Sequence, residues 1–121
     1  HIILRGGLQP NFHPEDIKGC VNALTKNEVN ANIMIDFSHG NSQKNHENQK
    51  KVCASVCQQI SEGDKNIIGV MIESHLKEGA QKISDNLEYG KSITDACVHW
   101  DETKTLLNDL ATSVKARRNV G

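Results

Sequence analysis

Three short apolar runs, Ile2-Ile3-Leu4, Ile33-Met34-Ile35 and Ile67-Ile68-Gly69-Val70-Met71-Ile72, each lead into a residue with metal-binding or phosphate-binding chemistry. Those residues, Arg5, His39 and Glu73, lie 34 positions apart. Such an interval holds one strand, one helix and two loops. A repeated βα unit sets its strands side by side in a parallel sheet, with successive strand ends on one rim. Active sites of such sheets gather at the carboxyl ends of the strands. The spacing thus turns three scattered polar residues into one candidate site on an α/β fold.

The segments between the runs agree with this. Gly6-Gly7 forms a permissive turn that lets the backbone leave the strand and approach a ligand closely. Pro14 opens a helix with Glu15 and Asp16 in its first turn, where the macrodipole favours acids. Ile17, Cys20, Val21 and Leu24 supply its apolar stripe. The second strand is expected over Asn32 to Phe37, and a second helix from about Asn45 to Ile60 with Val52, Cys53, Val56, Cys57 and Ile60 inward. The third strand, Ile67 to Ile72, passes into a polar connection from Glu73 to Thr94. Connections of that length are usually functional or disordered. Asp101 or Thr103 is expected to precede a last helix with the stripe Leu106, Leu107, Leu110, Ala111 and Val114. Lys115, Arg117 and Arg118 close it as a solvated terminus.

Composition removes several function classes. A net charge of -1 over 121 residues, with 36% hydrophobic content, argues against a nucleic-acid surface and against disorder. No 18-residue apolar run and no charged-then-apolar leader is present, so a cytoplasmic, membrane-free protein is expected. The four cysteines, Cys20, Cys53, Cys57 and Cys97, form no CxxC pair and are expected to be reduced core residues. His1 runs straight into the first strand. Three βα units leave a parallel sheet with an exposed apolar edge. The bland reading is a small three-stranded domain. The preferred one is the closing arc of a (β/α)₈ barrel, which takes about 250 residues.

His39 ends the segment Asp36-Phe37-Ser38-His39, where an imidazole is either a metal ligand or a hydrogen-bonded loop residue. Glu73 follows six apolar or small residues, so its carboxylate sits at a buried rim and needs a cation or a salt bridge. Asp95, in Ser92-Ile93-Thr94-Asp95-Ala96-Cys97, is a ligand candidate or a helix cap. Each taken singly is better explained as structural. Together, one histidine and two carboxylates on one rim form a set suited to Mn, Fe, Co or Zn. Arg5 adds a planar fork donor on the adjacent strand, suited to phosphate or carboxylate. His75 and Lys91 are weaker candidates, and Lys91 is expected to face solvent. His46 and His99 are expected at the surface or in helix packing. No P-loop, GxGxxG, nucleophile elbow or HExxH is present.

Four segments carry a resemblance. Leu4-Arg5-Gly6-Gly7, Ile35-Asp36-Phe37-Ser38-His39-Gly40-Asn41-Ser42, Gly69-Val70-Met71-Ile72-Glu73-Ser74-His75-Leu76 and Tyr89-Gly90-Lys91-Ser92-Ile93-Thr94-Asp95-Ala96-Cys97 resemble the type I 3-deoxy-D-arabino-heptulosonate 7-phosphate (DAHP) synthases. The likeness runs on to Val114-Lys115-Ala116-Arg117-Arg118 and covers the C-terminal third or so of such an enzyme. It implies that residues 1–121 are the last three βα units of a (β/α)₈ TIM barrel. It implies condensation of phosphoenolpyruvate with erythrose 4-phosphate, the first committed step toward chorismate and the aromatic amino acids. Arg5 would hold the phosphate of phosphoenolpyruvate. His39, Glu73 and Asp95 would be three of four protein ligands to one divalent metal ion (Mn, Fe, Co or Zn). The fourth is a cysteine that none of Cys20, Cys53, Cys57 or Cys97 matches. The Lys-Pro-Arg-Thr motif for the aldose phosphate, and the other lysine and arginine that grip phosphoenolpyruvate, are also outside this stretch. A homo-oligomer, dimer or tetramer, is expected, and the isolated chain is expected to be inactive. Gly40 stands where many members have Ala, which is expected to loosen the loop, and the stretch from Leu76 to Tyr89 is shorter than in some members. Two alternatives stay open: a related barrel synthase using phosphoenolpyruvate and another phosphorylated sugar, and a non-catalytic phosphate-binding βα fragment.

Overall fold

Each apolar run becomes a strand, because its β-branched side chains suit a pleated, half-buried surface. The computed structural model describes residues 1–120. Its elements are β1 (Ile2–Leu4), α1 (Pro14–Lys26), β2 (Ile33–Asp36), α2 (Asn48–Ser61), β3 (Ile67–Met71) and α3 (Trp100–Arg118), with a single 3₁₀ turn at His39–Asn41. The strands form a parallel sheet in the order β1-β2-β3. Sequential parallel strands joined by right-handed crossovers carry their helices on one face. That face holds the core: Ile33, Ile35 and Ile67 from the sheet meet Ile17, Val52, Val56, Ile60, Leu106 and Leu110 from the helices. Elsewhere the sheet is bare, with Ile3 45% exposed, Ile68 52% and Met71 42%. The result is a two-layer α/β structure with one layer of helices.

The register contains one irregularity. Ile33 pairs with Ile67, but Met34 pairs with Gly69, so Ile68 is an extra residue. A bulge of this kind rotates the strand locally. It lets Ile67 and Val70, three apart, both pack toward the helices.

Two helix starts differ from expectation. α2 begins at Asn48 because Asn45–Glu47 are spent in tighter i→i+3 turns, with Asn48 N donating to Asn45 O at 2.9 Å, Gln49 N to His46 O at 3.1 Å and Glu47 N to Asn45 Oδ1 at 3.1 Å. α3 begins at Trp100, and its cap is His99, whose Nδ1 accepts the Glu102 N–H at 3.0 Å. The buried stripe of α3 is also displaced. Thr103, Leu106, Leu110 and Ser113 face inward, whereas Leu107 and Ala111 are exposed. The two hydroxyls tolerate burial because each donates back along the helix, Thr103 Oγ1 to His99 O at 3.0 Å and Ser113 Oγ to Asp109 O at 2.9 Å.

The long β3–α3 connection is ordered. It runs outward and returns through paired contacts at Ser74–Val98, Gly79–Cys97 and Ala80–Ser92. This return carries Asp95 back to the end of β3. All four cysteines are free thiols; Cys53 and Cys97 are buried, whereas Cys20 and Cys57 are only half-buried. No helix among the described residues is long and apolar enough to cross a membrane.

Candidate functional site

β2 delivers a buried carboxylate, Asp36, to the rim, and the chain then turns back over it. Asp36 Oδ1 accepts from the Ser38 backbone N at 2.8 Å and from Ser38 Oγ at 2.5 Å. Its Oδ2 lies 2.8 Å from His39 Nδ1. His39 itself has φ of 53°, in the left-handed region that costs a non-glycine residue about 1–3 kcal/mol. The turn imposes that conformation, with Lys44 N donating to His39 O at 3.0 Å. With Nδ1 occupied, the imidazole presents Nε2 outward. Nε2 lies 3.8 Å from Glu73 Oε1 and 3.7 Å from Asp95 Oδ2. The three residues offer one ligand atom each, all within 4.8 Å of one another.

The electrostatics of this cluster are unbalanced. Burial pushes the Glu73 carboxyl above its ordinary range, and the charges of Asp95 and Asp36 push it the same way. His39 and the Ser38 hydroxyl oppose them. Neither Glu73 nor Asp95 meets a lysine or arginine within ion-pair distance among the described residues. Three carboxylates thus surround one imidazole without a compensating cation. The donor set fits a divalent ion. Ligand bonds of about 2.0–2.2 Å put two ligands of one ion roughly 3–3.5 Å apart. The two imidazole–carboxylate pairs, at 3.8 and 3.7 Å, therefore need to close by only a few tenths of an ångström, while the carboxylate pair starts within 4.8 Å. One nitrogen with two carboxylate oxygens suits Mn, Fe, Co or Zn.

Arg5 stands on the same rim at the end of β1, with an exposed side chain. Its backbone is held by Asn41, whose N donates to Arg5 O at 3.0 Å. The buried Asn41 carboxamide does more. Nδ2 donates to Leu4 O at 3.1 Å and to Asp36 O at 2.8 Å, while Oδ1 accepts from Asn11 N at 2.7 Å. One side chain therefore joins the ends of β1 and β2. The two loops also touch directly: a Cβ on Gly6 (φ 80°) would lie 2.5 Å from Asn41 N, and one on Gly40 would lie 2.7 Å from Gly6 C. Gly40 is thus a point of tight closure rather than of loosening.

The structure brings His39, Glu73 and Asp95 together and leaves the weaker candidates apart from them. His75 is exposed, and its Nδ1 accepts the Leu76 N–H at 2.8 Å. Lys91 is half-buried 3.7 Å from Glu88, and His46 lies 3.6 Å from Glu78. Three residues that support the site carry no assignment from the sequence: Asp36, Asn41 and Gln49. The signal for Asp36 is its place three residues before His39 at a strand end. The signal for Gln49 is a polar group one turn ahead of the stripe at Val52, Cys53 and Val56.

The sequence model of the DAHP synthetase I family matches residues 1–108. The chain is 54% identical over 120 residues to the Phe-sensitive phospho-2-dehydro-3-deoxyheptonate aldolase of Escherichia coli K12, covering 98% of the chain and 34% of that protein. It is 52% identical over 124 residues to the tyrosine-inhibited enzyme of Schizosaccharomyces pombe, covering 97% and 33%. The solved phospho-2-dehydro-3-deoxyheptonate aldolase of Francisella tularensis SCHU S4 matches with a TM-score of 0.93 at 47% identity, over 97% of this chain and 35% of that one. The chain spans about a third of the length of the curated relatives it matches.

Proposed function

The chain belongs to the DAHP synthetase I family, and from that premise we propose that residues 1–121 form the closing three βα units of a (β/α)₈ barrel that makes DAHP. The relatives bear enzyme names, so the family is enzymatic. On this reading, carbon 3 of phosphoenolpyruvate bonds to the aldehyde carbon of erythrose 4-phosphate, water adds at carbon 2, and inorganic phosphate leaves. The bare sheet face and the unpaired edges of β1 and β3 support a sheet that continues beyond these strands.

The observation that carries the proposal is the convergence of His39, Glu73 and Asp95 within 4.8 Å on the rim that Arg5 also occupies. His39, with Nδ1 held by Asp36, offers the Nε2 lone pair to a divalent cation, and Glu73 and Asp95 each offer an oxygen. A bound cation would supply Lewis-acid polarisation of the aldehyde oxygen or activation of the attacking water. Arg5 grips the phosphate of phosphoenolpyruvate through its planar fork, which orients the enol and offsets its charge. Asn41 keeps the Arg5 and His39 loops in register, so that phosphate and cation sites hold a constant separation. The fourth ligand and the remaining substrate contacts come from elsewhere in the barrel, which leaves the 121-residue chain inactive by itself.

The test uses the complete enzyme. His39→Ala, Glu73→Ala and Asp95→Ala each lose bound metal and turnover, while a chelator silences the unmodified enzyme and added Mn(II) restores it. Full activity in any two of the three variants overturns the assignment.

A further inference from the structure

The last ladder bond between β2 and β3 runs from Phe37 N to Met71 O at 2.9 Å. Beyond it, β2 turns away into the Ser38–Asn41 loop, and the next peptide groups of the β3 chain lose their strand partner. Glu73 is where that loss matters, because its N–H and C=O lie at a half-buried rim. The partner that replaces the strand is a side chain. Gln49, in the first turn of α2 and 0% exposed, accepts from Glu73 N through Oε1 at 3.1 Å and donates to Glu73 O through Nε2 at 3.1 Å. A primary carboxamide copies a peptide group, so Gln49 adds one rung to the sheet. Val98 N also donates to Glu73 O at 3.0 Å. The return of the connection that carries Asp95 is therefore anchored to the same carbonyl.

From this geometry we propose that Gln49 is a positioning residue of the cluster, clamping the Glu73 backbone so that its carboxylate faces His39 Nε2 and Asp95. The proposal rests on the metal site proposed above. Glu73's side chain has His39 at 3.8 Å and the Ser38 hydroxyl near it, both on the β2 loop, so the backbone clamp is what fixes its direction from the β3 side. Ligand geometry must hold to within about 0.5 Å for a site to work. A buried glutamine elsewhere on α2 shows the contrast. Gln59 Nε2 bonds Phe12 O at 2.8 Å and Ser55 Oγ at 3.2 Å, and its Oε1 has no partner. Gln59 ties a helix to a loop, whereas both groups of Gln49 go to one site residue.

The test is a cobalt(II) titration of the complete enzyme, read by chelator competition and by the visible absorption of the bound ion. Gln49→Met keeps the length of the side chain and deletes both bonds. It is expected to weaken Co(II) by about 10–100-fold, as loss of an outer support does, and to change the visible band. Gln59→Met, also a buried loss of hydrogen bonds on α2, is expected to keep both affinity and band, which a merely structural role for Gln49 would predict for Gln49→Met as well. If Gln49→Met does not fold, Gln49→Leu, which also deletes both bonds, is read by the same criteria. Wild-type affinity and spectrum in the Gln49 variant, with Glu73→Gln clearly weakened, overturns the clamp and leaves the metal site standing. Unaltered Co(II) binding in Glu73→Gln overturns the metal site and the clamp with it.

Discussion

Replacing Asp36 by Asn tests how the imidazole of His39 is aimed. The two carboxylate oxygens do separate jobs: Oδ1 accepts two bonds from Ser38, at 2.8 and 2.5 Å, and Oδ2 faces His39 Nδ1 at 2.8 Å. The substituted carboxamide can retain the first pair with its carbonyl oxygen. Its NH₂ then points at His39 Nδ1, which must accept rather than donate. The ring proton moves to Nε2, the atom that faces Glu73 and Asp95 at 3.8 and 3.7 Å. Nε2 then has no lone pair to offer. Loss of a charge-assisted hydrogen bond is worth about 1.5–3 kcal/mol, and each 1.4 kcal/mol is about tenfold in an equilibrium. Metal affinity should therefore fall by about 10–100-fold, in line with the usual effect of removing such a support. Chelator-competition titration of the complete enzyme with Mn(II) measures this, with circular dichroism as the check on folding. A folded Asp36→Asn enzyme whose Mn(II) affinity stays within about twofold of the parent refutes the tautomer argument.

Three further outcomes are expected. Asn41→Ala deletes three side-chain hydrogen bonds, to Leu4 O, Asp36 O and Asn11 N, at about 1 kcal/mol each; exchange of the Asn11 amide should quicken by about 100-fold, and an unchanged rate would contradict the joint. In the metal-free protein, burial raises the Glu73 carboxyl, so the folded state binds its proton more tightly than the unfolded chain does. Stability then falls as pH rises from the ordinary glutamate range near ~4.3 through the raised folded value. Glu73→Gln should flatten that slope in a series of urea midpoints, and identical slopes in both proteins would contradict it. Burial also raises the Cys53 and Cys97 thiols, so iodoacetamide at neutral pH should label them slowly in the native state and rapidly in urea; fast native labelling of Cys97 would count against its buried placement.

Local pattern is enough for the strands and for their common rim. Alternation in a strand and the handedness of a βα crossover are short-range properties, so spacing alone places Arg5, His39 and Glu73 on one edge. Asp95 cannot be placed that way. Its approach depends on the return of the connection through Ser74–Val98 and Gly79–Cys97, pairings between residues 24 and 18 positions apart; the likeness of its segment to a known family is what singles it out. Hydrophobicity misplaces the face of α3 at Leu107 and Ala111, because it cannot register that Thr103 and Ser113 satisfy their hydroxyls within the helix. It also misplaces the start of α2, because the turn bonds that hold Asn45–Glu47 out of the helix leave no mark in hydrophobicity.

By itself, then, the chain's order of residues determined a parallel α/β sheet with a polar rim, since periodicity and chain handedness act over a few residues. Only the tertiary structure decided how that rim is held: Asp36 behind His39, Asn41 between β1 and β2, Gln49 behind Glu73. Those are hydrogen bonds made by buried polar groups. Their partners are chosen by what the fold leaves unpaired, which no stretch of sequence carries.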